Sequence, residues 1–476
     1  METAIKPPII SLVNLGCAKN LVDSERILGR LAEAGFLIAQ DPAMAELCLV
    51  NTCGFVAEAR EETRSVLSEL ARLRTRGGLK TLVALGCLVE RVAEAPEFDR
   101  FLEAADVRLG FHDYSRIAEV CRNIVAAARH SSPPTRRSPR SRPPSPHRGE
   151  GQRLRSYSEF LTAPRLRIGS PHTAYLKISE GCSNACRFCA IPRMRGRQVS
   201  RPIEALVAEA RELAEGGAQE INLIAQDTTS YGRDLYGQYR LADLLRALLE
   251  TKGPRWFRLM YAYPKHLSAA VLDVLSGEER FCPYIDLPLQ HVSDLVLRAM
   301  GRGITRAQTV ELLDLVARKL PGGAIRTAFI VGFPGETEAQ YRELLDFVKE
   351  GRFAHAGVFL YSHEPLTPAA RLADSLPLAE KMARREALML AQRAVSRRRL
   401  QGRIGEKIEV LVDGPLERGA SPVAGARAIA RSRLEAPEVD GVVYLQGRGA
   451  AKLAPGTFEQ VEILRAMDYD LVAKAD

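Results

Sequence analysis

Three cysteines in the run GCSNACRFCAIP, residues 181–192, constrain this chain more than any other feature. Cys182, Cys186 and Cys189 are spaced by three and then two residues. One loop after a strand can therefore present three thiolates to one face of a cube-shaped [4Fe–4S] cluster. A structural zinc or an electron-transfer cluster takes four protein ligands. Three ligands leave one iron open to a small molecule, which points to an enzyme with a bound organic cofactor. The competing readings are a zinc site completed by a distant fourth ligand, or inert thiols; both fit this spacing less well. Phe188 precedes the third cysteine, where an aromatic ring can shield such a cluster from water.

The chain of 476 residues, 46% of them hydrophobic, is too long for one compact core, and two or three domains are expected. No apolar run approaches the ~20 residues of a membrane span, and nothing near the N-terminus reads as a signal peptide. The expectation is a soluble cytoplasmic protein with no membrane partner. Nine cysteines, several in short motifs, fit a reducing compartment and metal ligation better than a disulfide scaffold.

The net charge of +9 looks like a nucleic-acid signal until it is located. Residues 129–155 hold eight arginines and one acid, Glu150, which is +7 in that segment and leaves +2 for the rest. The folded parts are close to neutral, so net charge gives little support for an extended nucleic-acid footprint.

The pattern along the chain is α/β and multidomain. PIISLV, LCLV and TLVALGC read as strands separated by helical spacing, which predicts an open α/β domain over 1–127. Residues 128–158 are Ser, Pro and Arg with almost no apolar content, a linker that cannot form a core; a basic arm touching ribosomal RNA is the other reading. Over 168–398, six strand patterns alternate with helical ones: TAYLKIS, EINLIAQD, WFRLMYAY, YIDLPLQ, AIRTAFIVGF and HAGVFLY. Six units are fewer than a full barrel of eight, so a partial, open (β/α)6 barrel is predicted. Its strand ends carry Glu180, Gln226, Asp227, Gln290 and His291. Over 402–472, short strands split by Gly, Pro and Asp turns predict a small β-barrel.

Cys17 in NLGCAKN, Cys53 in NTCGF and Cys87 in ALGCL each follow a short strand of the first domain. Parallel strands put their C-terminal ends on one edge of a sheet, so these three can converge. They suggest a second cluster, again one ligand short; three unrelated buried thiols are the alternative. Cys48, Cys121 and Cys282 show no such pattern. Two incomplete clusters, one able to hold an external sulfur, suit insertion of sulfur into an unreactive C–H bond.

The 181–192 run resembles the radical S-adenosylmethionine (SAM) superfamily. That resemblance implies SAM on the open iron and a 5′-deoxyadenosyl radical formed by its reductive cleavage. IVGFPGETE, 330–338, is similar to the superfamily's glycine-rich segment, with Gly332 and Gly335 letting backbone approach the cofactor and Glu336 hydrogen-bonding; the same glycines also read as plain turns. Gln226 and Asp227 either line the SAM or substrate pocket or cap a helix. With NLGCAKNLVDSE (14–25), NTCGF (51–55) and GCL (86–88), the arrangement resembles the radical SAM methylthiotransferase family. The family has an N-terminal methylthiotransferase domain, a radical SAM core and a C-terminal TRAM domain. The resemblance assigns Cys17, Cys53 and Cys87 to an auxiliary [4Fe–4S] cluster and Cys182, Cys186 and Cys189 to the radical SAM cluster. No side chain beyond these ligands is given a catalytic role.

The family's branches differ in substrate. YLKISEGC (175–182), RMRGR (193–197), AQDTTSYG (225–232), YIDLPLQH (284–291) and PEVDGVVYL (437–445) resemble the branch that modifies an aspartate of ribosomal protein S12. The alternative branch modifies adenosine 37 of tRNA and has an asparagine-rich stretch where this chain has IAQDTT. Residues 402–476 carry ten basic and twelve acidic residues, a balance of −2 that suits a basic ribosomal protein better than an RNA backbone. The implied reaction uses one SAM as methyl donor to cluster-borne sulfur and another as radical source, giving 3-methylthioaspartate. The implied partners are S12, alone or within the small ribosomal subunit, and a reductant protein. The Arg/Pro insert departs from the family pattern and leaves its motifs intact.

Overall fold

The structure is a computed structural model and describes residues 6–74, 78–130, 160–374, 376–417 and 421–475. It divides into two compact units. One takes the described residues up to Ile168 together with Ala190–Val199, and the other takes Gly169–Cys189 and the described residues from Ser200 onward. Among the described residues no helix is long and apolar enough to cross a membrane.

The first unit is built on a parallel sheet of β1 (Ile9–Asn14), β2 (Leu37–Ile38), β3 (Leu47–Thr52), β4 (Thr81–Gly86) and β5 (Val107–Leu109), in the order β2-β1-β3-β4-β5. Every residue of β3 and β4 is buried, because helices cover both faces; hence their continuous apolar runs. α1 (Ala18–Glu33) follows β1, α2 (Ala57–Leu73) follows β3 and α3 (Cys87–Glu94) follows β4. One face packs Leu47, Leu49, Val83 and Leu85 against Ile27, Leu31 and Tyr114, and the other packs Cys48, Val50, Leu82 and Ala84 against Leu67 and Leu70.

Three local features differ from the sequence expectation. β2 and β5 were not anticipated, since edges of two and three residues are too short to show a period. α4 (Ile117–His130) extends three residues into the stretch assigned to the linker; the remainder of that stretch, 131–158, lies outside the described residues. Ala190–Val199, expected inside the central domain, belongs to the first unit. Its short helix α5 (Ile191–Arg195) carries Met194, which packs with Ala190, Ile191, Cys87 and Phe111.

In the second unit β6 (Thr173–Lys177) precedes two strands of two residues, β7 (Ser179–Glu180) and β8 (Val199–Ser200, which begins in the first unit). β9 (Glu220–Ile224), β10 (Trp256–Leu259), β11 (Phe281–Asp286), β12 (Ala324–Val331) and β13 (His355–Leu360) complete the predicted set of six long strands. All pair in parallel in the order β13-β12-β11-β10-β9-β6, an open partial barrel. Helices 306–319 and 338–349 start on capping boxes, Thr305 with Gln308 and Thr337 with Gln340, which satisfy amides that the helix itself leaves unbonded.

The C-terminal segment is a closed barrel of β14 (Lys407–Pro415), β15 (Ala428–Ser432), β16 (Val443–Gln446), β17 (Phe458–Ala466) and β18 (Leu471–Lys474). Alternate residues Val410, Val412, Ala428, Ala430, Val443, Leu445, Val461, Ile463, Leu471 and Ala473 fill it. This barrel meets the N-terminal ends of the large barrel's strands through a buried ion network. Arg431 pairs with Asp413 (2.9 Å) and with Glu220 (2.7 Å), and Glu220 also takes Arg258 (2.9 Å).

Candidate functional site

The strand-end cysteines come together because of sheet register. Asn14 of β1 pairs with Asn51 of β3, and Thr52 of β3 pairs with Gly86 of β4. Cys53 and Cys87 therefore follow directly paired residues, and Cys17 caps the start of α1 three residues after Asn14. Two asparagines pin the strand ends. Asn20 Nδ2 donates to the carbonyls of Leu15 (2.9 Å) and Thr52 (3.2 Å), and Asn51 Nδ2 donates to Asn20 O and Ser24 Oγ (both 2.9 Å). The close fit requires glycine: Gly16 has φ +93°, and a Cβ there would lie 2.9 Å from Cys53 Cβ.

A buried arginine completes this site. Arg195 of α5 donates through Nε to Cys87 Sγ (3.3 Å), through Nη1 to Asp23 Oδ2 (3.0 Å) and through Nη2 to Asn20 Oδ1 (2.5 Å), and stacks 4.8 Å from the centre of the Phe111 ring. Its side chain is 4% exposed and that of Asp23 not at all. Burial pushes the Cys87 thiol up to about 12 despite Arg195. Burial also raises Cys53, with the Cys17 charge adding to it. Solvent reaches Cys17, yet protein surrounds it; that environment alone raises its thiol, and the charges of Lys19 and Arg195 together with hydrogen bonds from the Asn20 and Lys19 amides more than reverse the effect, so it sits below its ordinary value. The three thiols thus share one electrostatic environment, with one cation acting on all of them.

The second triad is local. Cys189 N donates to Cys186 O (3.2 Å), and burial raises Cys182 to about 11. Arg302 Nη1 donates to Cys186 Sγ (3.4 Å) and lies over the Tyr263 ring (4.3 Å to its centre), whose hydroxyl donates to Arg302 O (2.7 Å). Phe188 packs with Val296, Met300, Phe333 and Tyr361.

Asn184, between the first two cysteines, donates to Asp227 Oδ2 (2.8 Å). Asp227 also accepts from Thr229 N (2.9 Å), Thr229 Oγ1 (2.6 Å), Ser230 N (3.2 Å) and, at 3.3 Å, shares a hydrogen bond with His266 Nδ1. Burial opposes its ionisation, but the bonds from His266, Thr229 and Asn184 outweigh it and hold the carboxyl below the usual range. Gln226 Nε2 donates to Glu180 Oε1 (2.5 Å), while Gln226 Oε1 is buried and accepts from none of the described residues.

In the glycine-rich loop, Gly332 and Gly335 take φ of 72° and 84°. Glu336 Oε2 accepts from the amides of Gly332 and Phe333 (3.1 Å to the latter), and its Oε1 faces Arg384 at 3.2 Å and His291 Nε2 at 4.0 Å. His291 Nδ1 accepts from Ser293 N (3.0 Å), and burial lowers this imidazole to about 3, so it is neutral. Glu336 thus shapes its own loop.

Among the described residues no group of three or more His, Cys, Asp or Glu is arranged to hold a single metal ion. The ligands of a cube-shaped cluster each bind a different iron and so stand wider apart than ligands around one ion. Donor chemistry and placement, three thiols at converging strand ends and three on one short loop, fit such groups. Arg195, Asn20, Asn51, Arg302 and Tyr263 were not anticipated as site residues. The only sequence signal was that the first three fall inside quoted motifs.

Comparison with known proteins covers each part of the chain. Residues 10–107 match the uncharacterized protein family UPF0004, 176–348 the radical SAM superfamily and 404–475 the TRAM domain. The ribosomal protein uS12 methylthiotransferase RimO of Anaeromyxobacter sp. (strain K) is 46% identical over 97% of this chain and 92% of its own length. The protein of that name from Desulforamulus reducens is 41% identical over 98% of this chain and 99% of its own. Among solved structures, the radical SAM methyltransferase TsrM from Kitasatospora setae superposes with a TM-score of 0.53 at 18% identity, over 76% of this chain and 77% of that one, a likeness of fold alone.

Proposed function

The chain belongs to the RimO-like methylthiotransferases of the radical SAM superfamily, and on that premise we propose that it methylthiolates the β-carbon of an aspartate in ribosomal protein uS12. It is a radical SAM methylthiotransferase, a class that works with iron–sulfur and SAM chemistry. The observation that carries the sulfur-transfer part of this reading is the second triad: Cys17, Cys53 and Cys87 converge on neighbouring strand ends, in addition to the loop of Cys182, Cys186 and Cys189; the uS12 substrate rests on the relatives. In this reading each triad holds a [4Fe–4S] cluster. The domains follow the expected division at 1–127, 168–398 and 402–472, with α4 running on to His130 and Ala190–Val199 joined to the first.

A cluster held by Cys182, Cys186 and Cys189 would supply the electron for reductive cleavage of SAM. The chain's residues place the reactants. Gln226 Oε1, with no protein donor among the described residues, would be available to accept a hydrogen bond from SAM. Gly332 and Gly335 let backbone approach the cofactor, and Glu336 holds that loop in shape. Asp227 acts through Asn184, fixing the cysteine loop. Arg195 sets a positive charge against the strand-end thiolates, and Arg302 does so at Cys186. The partners are uS12, alone or in the small ribosomal subunit, and a reductant protein, both in the cytoplasm.

Mass spectrometry of uS12 and of tRNA from a strain lacking the gene, with and without complementation, tests the substrate. The expected result is loss of the methylthio mass from uS12 with tRNA unchanged. The reverse pattern overturns the proposal in favour of tRNA.

A further inference from the structure

The PEVDG stretch, Pro437–Gly441, has no part in the reaction above, yet it holds a wholly buried carboxylate. Asp440 Oδ2 accepts from Tyr284 Oη (2.7 Å) and Ala436 N (2.9 Å), and its Oδ1 accepts from Arg326 Nη1 (2.5 Å) and lies 3.5 Å from His355 Nδ1. Its side chain is completely shielded from solvent. Tyr284, Arg326 and His355 stand on β11, β12 and β13, so one side chain of the small barrel ties three adjacent strands of the large one. The preceding Glu438 takes a left-handed backbone (φ 67°), as a sharp turn into this position requires.

From Arg326 the contacts continue toward the cysteine loop. Arg326 Nε lies 3.9 Å from Asp286 Oδ1, a charge–charge contact rather than a hydrogen bond. Asp286 Oδ2 accepts from the backbone N of Tyr261 (3.1 Å). Tyr261 follows β10 and holds φ 58°, a conformation that a bulky residue keeps only when its surroundings impose it. The carbonyl of Tyr261 accepts from Thr228 N (3.1 Å) and Thr228 Oγ1 (3.2 Å). Thr228 adjoins Asp227, which takes the Asn184 amide between Cys182 and Cys186.

We propose that the C-terminal β-barrel is a positioning element of the cysteine-loop site, with Asp440 acting through Arg326, Asp286 and Tyr261. The inference rests on the reading of that loop as the SAM site. It differs from a role in substrate docking, because docking alone leaves the loop indifferent to the small barrel until uS12 arrives.

The test uses the full chain with Asp440→Asn, which keeps the shape and removes the charge, and Tyr284→Phe, which removes one hydrogen bond and serves if the first variant does not fold. Exposed Glu462→Gln on the small barrel is the control. Hydrogen exchange of the unloaded proteins is expected to quicken over 225–231 and 259–263 as well as 434–445. In anaerobically reconstituted protein without uS12, the SAM-dependent change in the electron paramagnetic resonance spectrum is expected to require about fivefold more SAM in Asp440→Asn, and less of an increase in Tyr284→Phe. Faster exchange confined to 434–445, with unchanged SAM response in the folded variants, overturns the inference. A wild-type spectrum indifferent to SAM instead overturns the reading of the loop, and this inference with it.

Discussion

Cys182, Cys186 and Cys189 fall within eight residues of one loop, whereas Cys17, Cys53 and Cys87 arrive from the ends of three strands. The loop triad needs only a few neighbours, chiefly Asn184 held by Asp227 and Cys186 held by Arg302. The strand-end triad needs a sheet in register, two asparagines to pin the strand ends, and an arginine carried on a separate segment. The difference teaches that similar donor sets can be specified by chain proximity in one case and by tertiary register in the other. A perturbation of the sheet should therefore reach one triad and spare the other.

The largest expected effect separates the two chemically. Alanine at Cys182, Cys186 or Cys189 should reduce 5′-deoxyadenosine formation below detection by chromatography. Alanine at Cys17, Cys53 or Cys87 should leave that cleavage intact while the methylthio product disappears from the mass spectrum of uS12. Continued methylthiolation in either set would refute the division of roles.

A smaller effect probes what the strand-end site alone requires. Arg195→Gln takes the guanidinium charge away from the carboxylate of Asp23, whose side chain is fully buried. Breaking a buried pair on one side costs about 3 kcal/mol. Urea unfolding should show that loss, with iron content falling by the share held at the strand ends while the SAM-dependent spectral change of the loop persists. If iron content stays at the wild-type value, the arginine supports the fold and not the triad.

The smallest effect bounds the comparison. Cys48, Cys121 and Cys282 are buried, and burial raises Cys48 to about 11 and Cys121 to about 12, so these thiols stay protonated. Replacing each with alanine should cost about 1 kcal/mol in urea unfolding and leave iron per chain unchanged. A drop in iron for any of them would mean that the two triads do not account for all the ligands.

Much of this architecture was legible before the structure. The six long strands of the large barrel are apolar runs bounded by turn residues; β6, β9, β10, β12 and β13 lie within the predicted runs, while β11 begins at Phe281, three residues before its own. In the small barrel a turn from Met467 to Asp470 separates β17 from β18. β2 and β5 escaped notice because so few residues carry no period. Asn20, Asn51 and Arg195 stood inside recognised motifs, but their tasks were invisible, since each acts on a residue far away in the chain. Arg195 lies 108 residues from the thiol it touches.

Sequence alone determined the fold class of each part of the chain and the spacing of its thiols, because thiol spacing and hydrophobic period are local properties written into neighbouring residues. Tertiary structure decided which distant groups share a field. It put Arg195 against Cys87, gave Glu336 to its own loop, and placed Asp440 under three barrel strands. These pairings depend on strand register and on burial, which weaken or strengthen a charge according to its surroundings, and no single stretch of residues encodes them.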